Sequence, residues 1–369
     1  MVVAINCRQL THRKLEGFGN YTLELVTRWI EQHPDISFVL IFDREPKFLF
    51  PEYSHVKKVV IGPPTRHPVL YWLWFEWSIP RVLNREKATV FFSPDGYNSL
   101  RSTIPSLITV HDLNFEHNPK DLPRILGFYL RTFFPKFVRK ANHVLTVSQF
   151  SKDDIVQKYP CQEEKITAIH NGASEAYLPV ENSEKTQISH EICEGRPFFL
   201  FVGSLHPRKN VRRLLRAYAK LQHPKADLVI VGSAMWKSND YSIPSSHVDR
   251  IHFLGYLNQQ RLARIMASAM ALAYVPYFEG FGIPLVEAMR CGTPILCSNT
   301  TCLPEVAGDA AIYCNPFDET EIHDGLLRLQ NDANLREELS QKGLNRSQQF
   351  SWDTSAALAW EKLMAISGT

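Results

Sequence analysis

No segment of this 369-residue chain approaches the roughly 20 consecutive apolar residues that cross a bilayer, and its start, MVVAINCRQL, has no basic stretch before an apolar core. A membrane-spanning or signal-exported protein is therefore not expected, and the expected location is the cytoplasm. Like charges do not cluster into long runs and the net charge is only +3, too mild a balance for a nucleic-acid partner. The 7 cysteines are odd in number and include no C-x-x-C pair, which argues against a disulfide framework and against a thiolate zinc cluster. No D-x-D triplet occurs, so the usual carboxylate pair for a diphosphate-bound metal is missing and no metal is expected. Repeats of solenoid period and low-complexity tracts are missing too.

What is present is the balance of a folded chain, 44% hydrophobic and 21% charged, at a length that suits two α/β domains better than one. Short apolar runs rich in β-branched residues alternate with stretches of helical period, the pattern of βα units on a parallel sheet. The first half offers such runs at 2–5, 38–42, 56–61, 90–93, 107–110, 143–147 and 166–169, with clear helical segments at 18–32 and 150–158. The second half repeats the alternation through PFFLFVG, DLVIVG, RIHFLGY, ALAYVP, TPILCS and AIYCNP, with helices from Val211, Gln259 and about Ile283. Between the halves, Ala173 to Arg196 is polar, without sustained period, and reads as an irregular linker. The prediction is two Rossmann-like doubly wound domains facing a cleft, at 1–180 and 181–350, with a helix in 351–369 closing the structure.

The sharpest local signal is FLFVGSLHPRKNVRRLL, where a strand ends in a small-residue turn, presents Arg208 and Lys209, and enters a helix with Asn210 at the cap position. Two cations beside a helix N-terminus form an anion site, and a diphosphate matches the guanidinium fork, the ammonium and the free amides together. The second signal is FEGFGIPLVEAMRCG. Gly280 and Gly282 permit close backbone approach, Pro284 suits a first helical turn, and the amides of Gly280, Phe281, Gly282 and Ile283 can face phosphate. Glu279 can accept hydrogen bonds from sugar hydroxyls, while Glu287 on the helix can hold a diol such as that of ribose. Each acid or cation alone could be a solvated surface group; the combination favours a nucleotide-sugar site.

GSLHPRKN, EGFGIPLVEAM and SNTTCLPEVAGDAAIYCNPFD together resemble the retaining glycosyltransferases of GT-B fold, the family 4 type, over nearly the whole chain. The resemblance implies that Glu279 and Glu287 are its E-x7-E pair, the first near the donor sugar and the second on the nucleotide ribose. It likewise implies that Arg208 and Lys209 bind the donor diphosphate. Gly17-Phe18-Gly19-Asn20-Tyr21 resembles the family's Gly-rich loop, which puts Gly17 and Gly19 at the donor, and Thr109-Val110-His111-Asp112-Leu113 resembles its histidine-bearing strand end. His111 is then a donor-sugar contact, although a lone histidine is more commonly a buried one satisfied by backbone. Val275-Pro276-Tyr277-Phe278 departs from the Pro-Ser pattern of many relatives. A dinucleotide fingerprint at Gly17 fails because its third glycine position holds Thr22.

The implied reaction retains the anomeric configuration by a front-face route and needs no cofactor, the nucleotide sugar being a substrate. Similar bacterial enzymes are often mannosyltransferases using GDP-mannose, but UDP-hexose users share these motifs, and the residues expected near the base, around Tyr256, do not separate guanine from uracil. The acceptor is a glycan or a lipid-linked sugar in polysaccharide biosynthesis. Tyr71-Trp72-Leu73-Trp74-Phe75-Glu76-Trp77 and Arg124 to Lys140 combine aromatic bulk with cations; they could dock at the inner membrane face on anionic lipid, or pack in the core with basic outer edges. Two other functions fit the same architecture: a sugar-nucleotide epimerase and a non-catalytic nucleotide-sugar-binding protein.

Overall fold

In the computed structural model the described residues are 1–11, 15, 17–47, 50–233 and 245–368. They divide into two compact units, 1–171 together with 352–369, and 172–351.

The first unit is built on seven strands: β1 (Val2–Asn6), β2 (Ser37–Phe42), β3 (Val56–Val60), β4 (Val90–Ser93), β5 (Ser106–Thr109), β6 (His143–Thr146) and β7 (Ile166–Ala168). All pair in parallel, in the order β3-β2-β1-β4-β5-β6-β7. The second unit carries six: β8 (Phe198–Val202), β9 (Asp227–Val231), β10 (Ile251–Gly255), β11 (Ala271–Tyr274), β12 (Ile295–Ser298) and β13 (Ala311–Cys314). Their order, again parallel, is β10-β9-β8-β11-β12-β13. Every run named from the sequence is a strand; a parallel sheet covered by helices buries both faces of its central strands, and all five residues of β8 are buried, while the edge strand β3 buries only Val59. In each sheet the strand order reverses once, between β1 and β4 and between β8 and β11. Ligands of open α/β sheets gather beyond the carboxyl ends of strands at such points.

The C-terminal helix, Trp352–Ile366, belongs to the first unit. It lies along the helix Gly17–Gln32, where the Trp29 indole donates to the Ala356 carbonyl at 2.8 Å and His33 stacks on Trp360 at 4.0 Å between ring centroids.

Three expectations need correction. Residues 173–196 are not irregular throughout, since Asn182–Cys193 is a helix. Only Ile188 and Cys193 are buried along it, too few to write a stripe into the sequence. Packing on the helix Gln259–Ser268, with ion pairs from Glu191 to Arg261 and from Glu184 to Arg264, supplies the stability that local pattern does not announce. Second, the residues Gly17 to Tyr21, which resemble a Gly-rich loop, form the first turn of the helix expected over 18–32. Gly19 is buried there, and a Cβ on it would stand 3.0 Å from Leu15 Cδ2, so the small residue serves close packing. Third, the aromatic segment 71–77 is divided: Trp74, Phe75 and Glu76 are buried, while Trp72 and Trp77 are exposed.

Candidate functional site

The second unit brings its two sequence motifs together at the β8/β11 reversal. Leaving β8, the chain turns at Gly203, whose carbonyl is packed so closely that a Cβ on Gly232 would lie 1.8 Å from it. The turn Pro207–Lys209 then precedes the helix Val211–Ala219. Leaving β11, residues 275–282 form a loop into the helix Ile283–Arg290, with Pro284 in its first turn. The Tyr277 amide donates to the Arg208 carbonyl at 3.0 Å, Ser298 Oγ donates to the Pro276 carbonyl at 2.6 Å, and Cys302 Sγ donates to the Glu279 carbonyl at 3.2 Å. These bonds fix the loop against its neighbours.

Within this frame Lys209 Nζ lies 2.5 Å from Glu279 Oε1, and Arg208 Nη1 lies 3.3 Å from the same oxygen. Arg208 also donates to the Phe278 carbonyl at 3.2 Å, and Lys209 donates to the Tyr274 hydroxyl at 2.7 Å. Burial by itself pushes the Glu279 carboxyl up, but Arg208 and Lys209 outweigh it and hold the group below its ordinary value. Burial, then the Glu279 charge, push Tyr274 well above the phenol range, so it remains a protonated hydrogen-bonding group. The result is a buried carboxylate paired with two cations, directly before the stretch Gly280 to Ile283 in sequence.

Gly282 shows why glycine is needed here: its φ is +86°, and a Cβ would meet Leu303 Cδ2 at 2.8 Å. Asn210 corrects an expectation. It occupies the cap position at φ 62° but makes no cap bond. Its buried amide instead donates to the Val275 carbonyl at 2.9 Å and the Pro316 carbonyl at 2.7 Å, which ties the two motifs to the end of β13.

Glu287 is held differently from its partner acid. Its carboxyl hydrogen-bonds with Tyr177, and burial raises it from 4.5 to about 7, with the Tyr177 bond pulling the other way. Among the described residues no cation neutralises it as Arg208 and Lys209 neutralise Glu279. Tyr256, expected near a base, follows the end of β10 and is exposed.

In the first unit, His111 stands just beyond β5. Phe18 and Tyr21, from the helix that opens at Gly17, pack on its ring at 4.6 and 4.7 Å between centroids. Its Nε2 lies 2.8 Å from the Pro94 carbonyl, which can only accept, so Nε2 carries the proton and Nδ1 keeps its lone pair in the neutral ring. Burial favours that neutral form and lowers the pKa against the opposing pulls of Pro94, Asp112 and Asp95.

Sequence reasoning missed three things. Tyr274 was signalled only by its place at the end of a strand. Tyr177 lies in the polar stretch and carried no signal. At the β1/β4 reversal, Arg8 pairs with Asp95 at 2.6 Å and its guanidinium sits 4.3 Å from the centre of the Tyr97 ring; the clue was a charged residue two positions past the end of each strand. Among the described residues one group has metal-ligating chemistry, Cys193 with Asp227 and His252. Asp227, however, is the first residue of β9, at the opposite end of the sheet, and is already ion-paired to Arg196 at 3.1 Å and Arg250 at 2.7 Å.

The model for "Glycosyl transferases group 1" matches residues 182–346 and that for "Glycosyltransferase Family 4" matches 15–176. The O-antigen chain mannosyltransferase B of Escherichia coli is 29% identical, over 92% of this chain and 93% of its own length. The O-antigen chain mannosyltransferase RfbU of Salmonella typhimurium is 30% identical over 68% of each. Among solved structures, Anabaena Alr3699/HepE in complex with UDP-glucose superposes with a TM-score of 0.78 at 17% identity, covering 99% of this chain and 100% of that one. At that identity the likeness speaks for the fold.

Proposed function

This chain belongs to the group 1, family 4 glycosyltransferases, and on that premise we propose that it transfers mannose from GDP-mannose to a glycan or lipid-linked acceptor in polysaccharide biosynthesis. The observation that carries the donor half is the Arg208–Lys209–Glu279 cluster at the β8/β11 reversal. The mannosyltransferase names of the two curated relatives support the sugar, and the UDP-glucose complex of the structural neighbour supports a nucleotide-sugar donor.

Breaking the anomeric C–O bond places developing negative charge on the departing diphosphate, so the rate depends on fixed positive groups already aimed there. Arg208, Lys209 and the amides of Gly280, Phe281, Gly282 and Ile283 would receive it. Glu279 keeps the two cations in place while the site is empty, and on donor binding it faces the sugar. Glu287 holds the ribose diol; in the first unit His111, neutral with Nδ1 able to accept, is the candidate for a sugar contact. No residue is assigned as a covalent nucleophile; the phosphate oxygen that leaves takes the acceptor's proton on the same face, which retains configuration. The cations replace a metal, and no cofactor takes part. All 7 cysteines are free thiols, which supports work in a reducing compartment such as the cytoplasm.

The test is calorimetric titration with GDP-mannose, UDP-glucose and UDP-N-acetylglucosamine in the presence of a chelator. Product analysis with and without a mannan-type acceptor follows. Binding of GDP-mannose, no conversion until acceptor is added, and an α-linked product are expected. Conversion of the donor without acceptor would instead indicate an epimerase, binding without turnover a non-catalytic role, and loss of activity on chelation a metal.

A further inference from the structure

Glu287 lies more than a turn inside the helix Ile283–Arg290, at the end of a side chain with several rotatable bonds. Among the described residues no cation holds it. A carboxylate of this kind grips two hydroxyls well only if something fixes its direction beforehand, because the entropy of ordering it otherwise opposes binding.

Tyr177 is placed to fix it. The residue is 1% exposed, and its hydroxyl hydrogen-bonds with the Glu287 carboxyl. One turn further along the same helix, Arg290 Nε donates to the Tyr177 carbonyl at 3.4 Å. Residues three apart share a helix face, so the hydroxyl and the carbonyl of one tyrosine engage one face of this helix. The Tyr177 amide in turn donates to the Ser174 carbonyl at 3.2 Å. These residues belong to the opening stretch of the second unit, which begins at 172. The direction of the acid is thus set from outside both sequence motifs.

The hydroxyl does more than fill space. A phenylalanine would occupy the same apolar volume, whereas a buried hydroxyl is costly unless paired, and here its partner is an acid of the site. Burial, then the Glu287 charge, push Tyr177 above the phenol range, so it keeps its proton and donates. A donated bond favours the ionised carboxylate and occupies one of about four acceptor positions, leaving the others for a diol. Cys291, the next titratable neighbour along the helix, is pushed up by burial and by Glu287 and stays a neutral thiol. We infer that Tyr177 is a positioning residue for the donor, its hydroxyl holding the Glu287 carboxylate in the direction that receives the 2′- and 3′-hydroxyls of the nucleotide ribose. The inference rests on the proposed reading of Glu287 as the ribose acid and adds the group that aims it.

The full chain is titrated calorimetrically with GDP and UDP and with their 2′,3′-dideoxyribose forms, so that base and diphosphate stay constant and only the diol changes. The wild type is expected to prefer the ribose form of whichever base it binds by at least roughly 100-fold. Glu287→Ala should abolish that preference. Tyr177→Phe, which keeps the buried ring, should reduce the preference about tenfold and leave affinity for the dideoxyribose form as in the wild type. In the Glu287→Ala background it should have no further effect. A Tyr177→Phe protein that prefers ribose as strongly as the wild type overturns the inference and, provided Glu287→Ala has lost the preference, leaves the reading of Glu287 standing. Equal loss of affinity for both forms overturns it too, because that marks a structural role. If the wild type binds neither nucleotide or shows no preference, or if Glu287→Ala retains one, Glu287 is not the ribose acid and both readings fall.

Discussion

Lys209 Nζ and Glu279 Oε1, from turns that follow two adjacent strands, approach to 2.5 Å, with only 11% and 8% of their side chains exposed. The ammonium and the carboxylate each make the other's burial tolerable, and Arg208 at 3.3 Å completes the balance. Lys209→Ala should therefore cost about 3 kcal/mol of stability, read from the denaturant midpoint. It should also cut mannosyl transfer at least about 100-fold, because a group aimed at the developing diphosphate charge is gone. A Lys209→Ala enzyme that transfers at the wild-type rate would remove Lys209 from the donor site.

The two acids of the E-x7-E pair should leave opposite marks on the pH dependence of stability. Glu287 is raised from 4.5 to about 7 in the fold, so the folded state binds its proton more tightly than the unfolded state does. Its contribution is full below about pH 4.5 and is lost as pH rises to about 7. Glu279 is lowered from 4.5, so its contribution is present above that value and lost as pH falls below it. Glu287→Gln should flatten the decline between pH 4.5 and 7 in a series of unfolding curves and leave the acid limb unchanged; a profile identical to wild type would show that Glu287 does not titrate there.

Gly282→Ala tests the turn that opens the helix Ile283–Arg290. At φ +86° with Leu303 Cδ2 2.8 Å from the new Cβ, the substitution should cost at least roughly 1–2 kcal/mol. It should also weaken nucleotide binding in calorimetry by moving the loop amides. A drop in melting temperature without a change in affinity would separate the turn from the ligand.

Asn210→Ala removes both donors from the Val275 and Pro316 carbonyls and puts at φ 62° a residue that tolerates the left-handed region less well than asparagine does. A loss of about 2–3 kcal/mol is expected by thermal or chemical denaturation. Asn210→Gly should recover roughly 1 kcal/mol of it, the backbone part. Equal losses for the two variants would mean that the hydrogen bonds carry the whole effect.

The strands were legible because burial on both faces writes a nearly continuous apolar run, such as Phe198 to Val202, that no surface element imitates. Glu279, Glu287, Arg208 and Lys209 were legible as residue types in a pattern. The helix Asn182–Cys193 was not, since two buried residues make no period and its ion pairs come from a distant helix. The helix over 18–32 was legible from its period, but the reason for its early glycine was not: Gly19 is small so that Leu15 can pack against it.

By itself, then, the sequence determined where the strands lie, that two parallel α/β sheets form, and which cations and acids stand beyond their ends, because each of these is set by local period and residue chemistry. Only the tertiary structure decided that Lys209 meets Glu279 while Glu287 meets Tyr177, that Trp352–Ile366 belongs to the first unit, and that Phe128 faces outward while Phe134 faces the core. These depend on which strands become neighbours and which side of a helix is covered, and those are outcomes of long-range packing that no short window of residues contains.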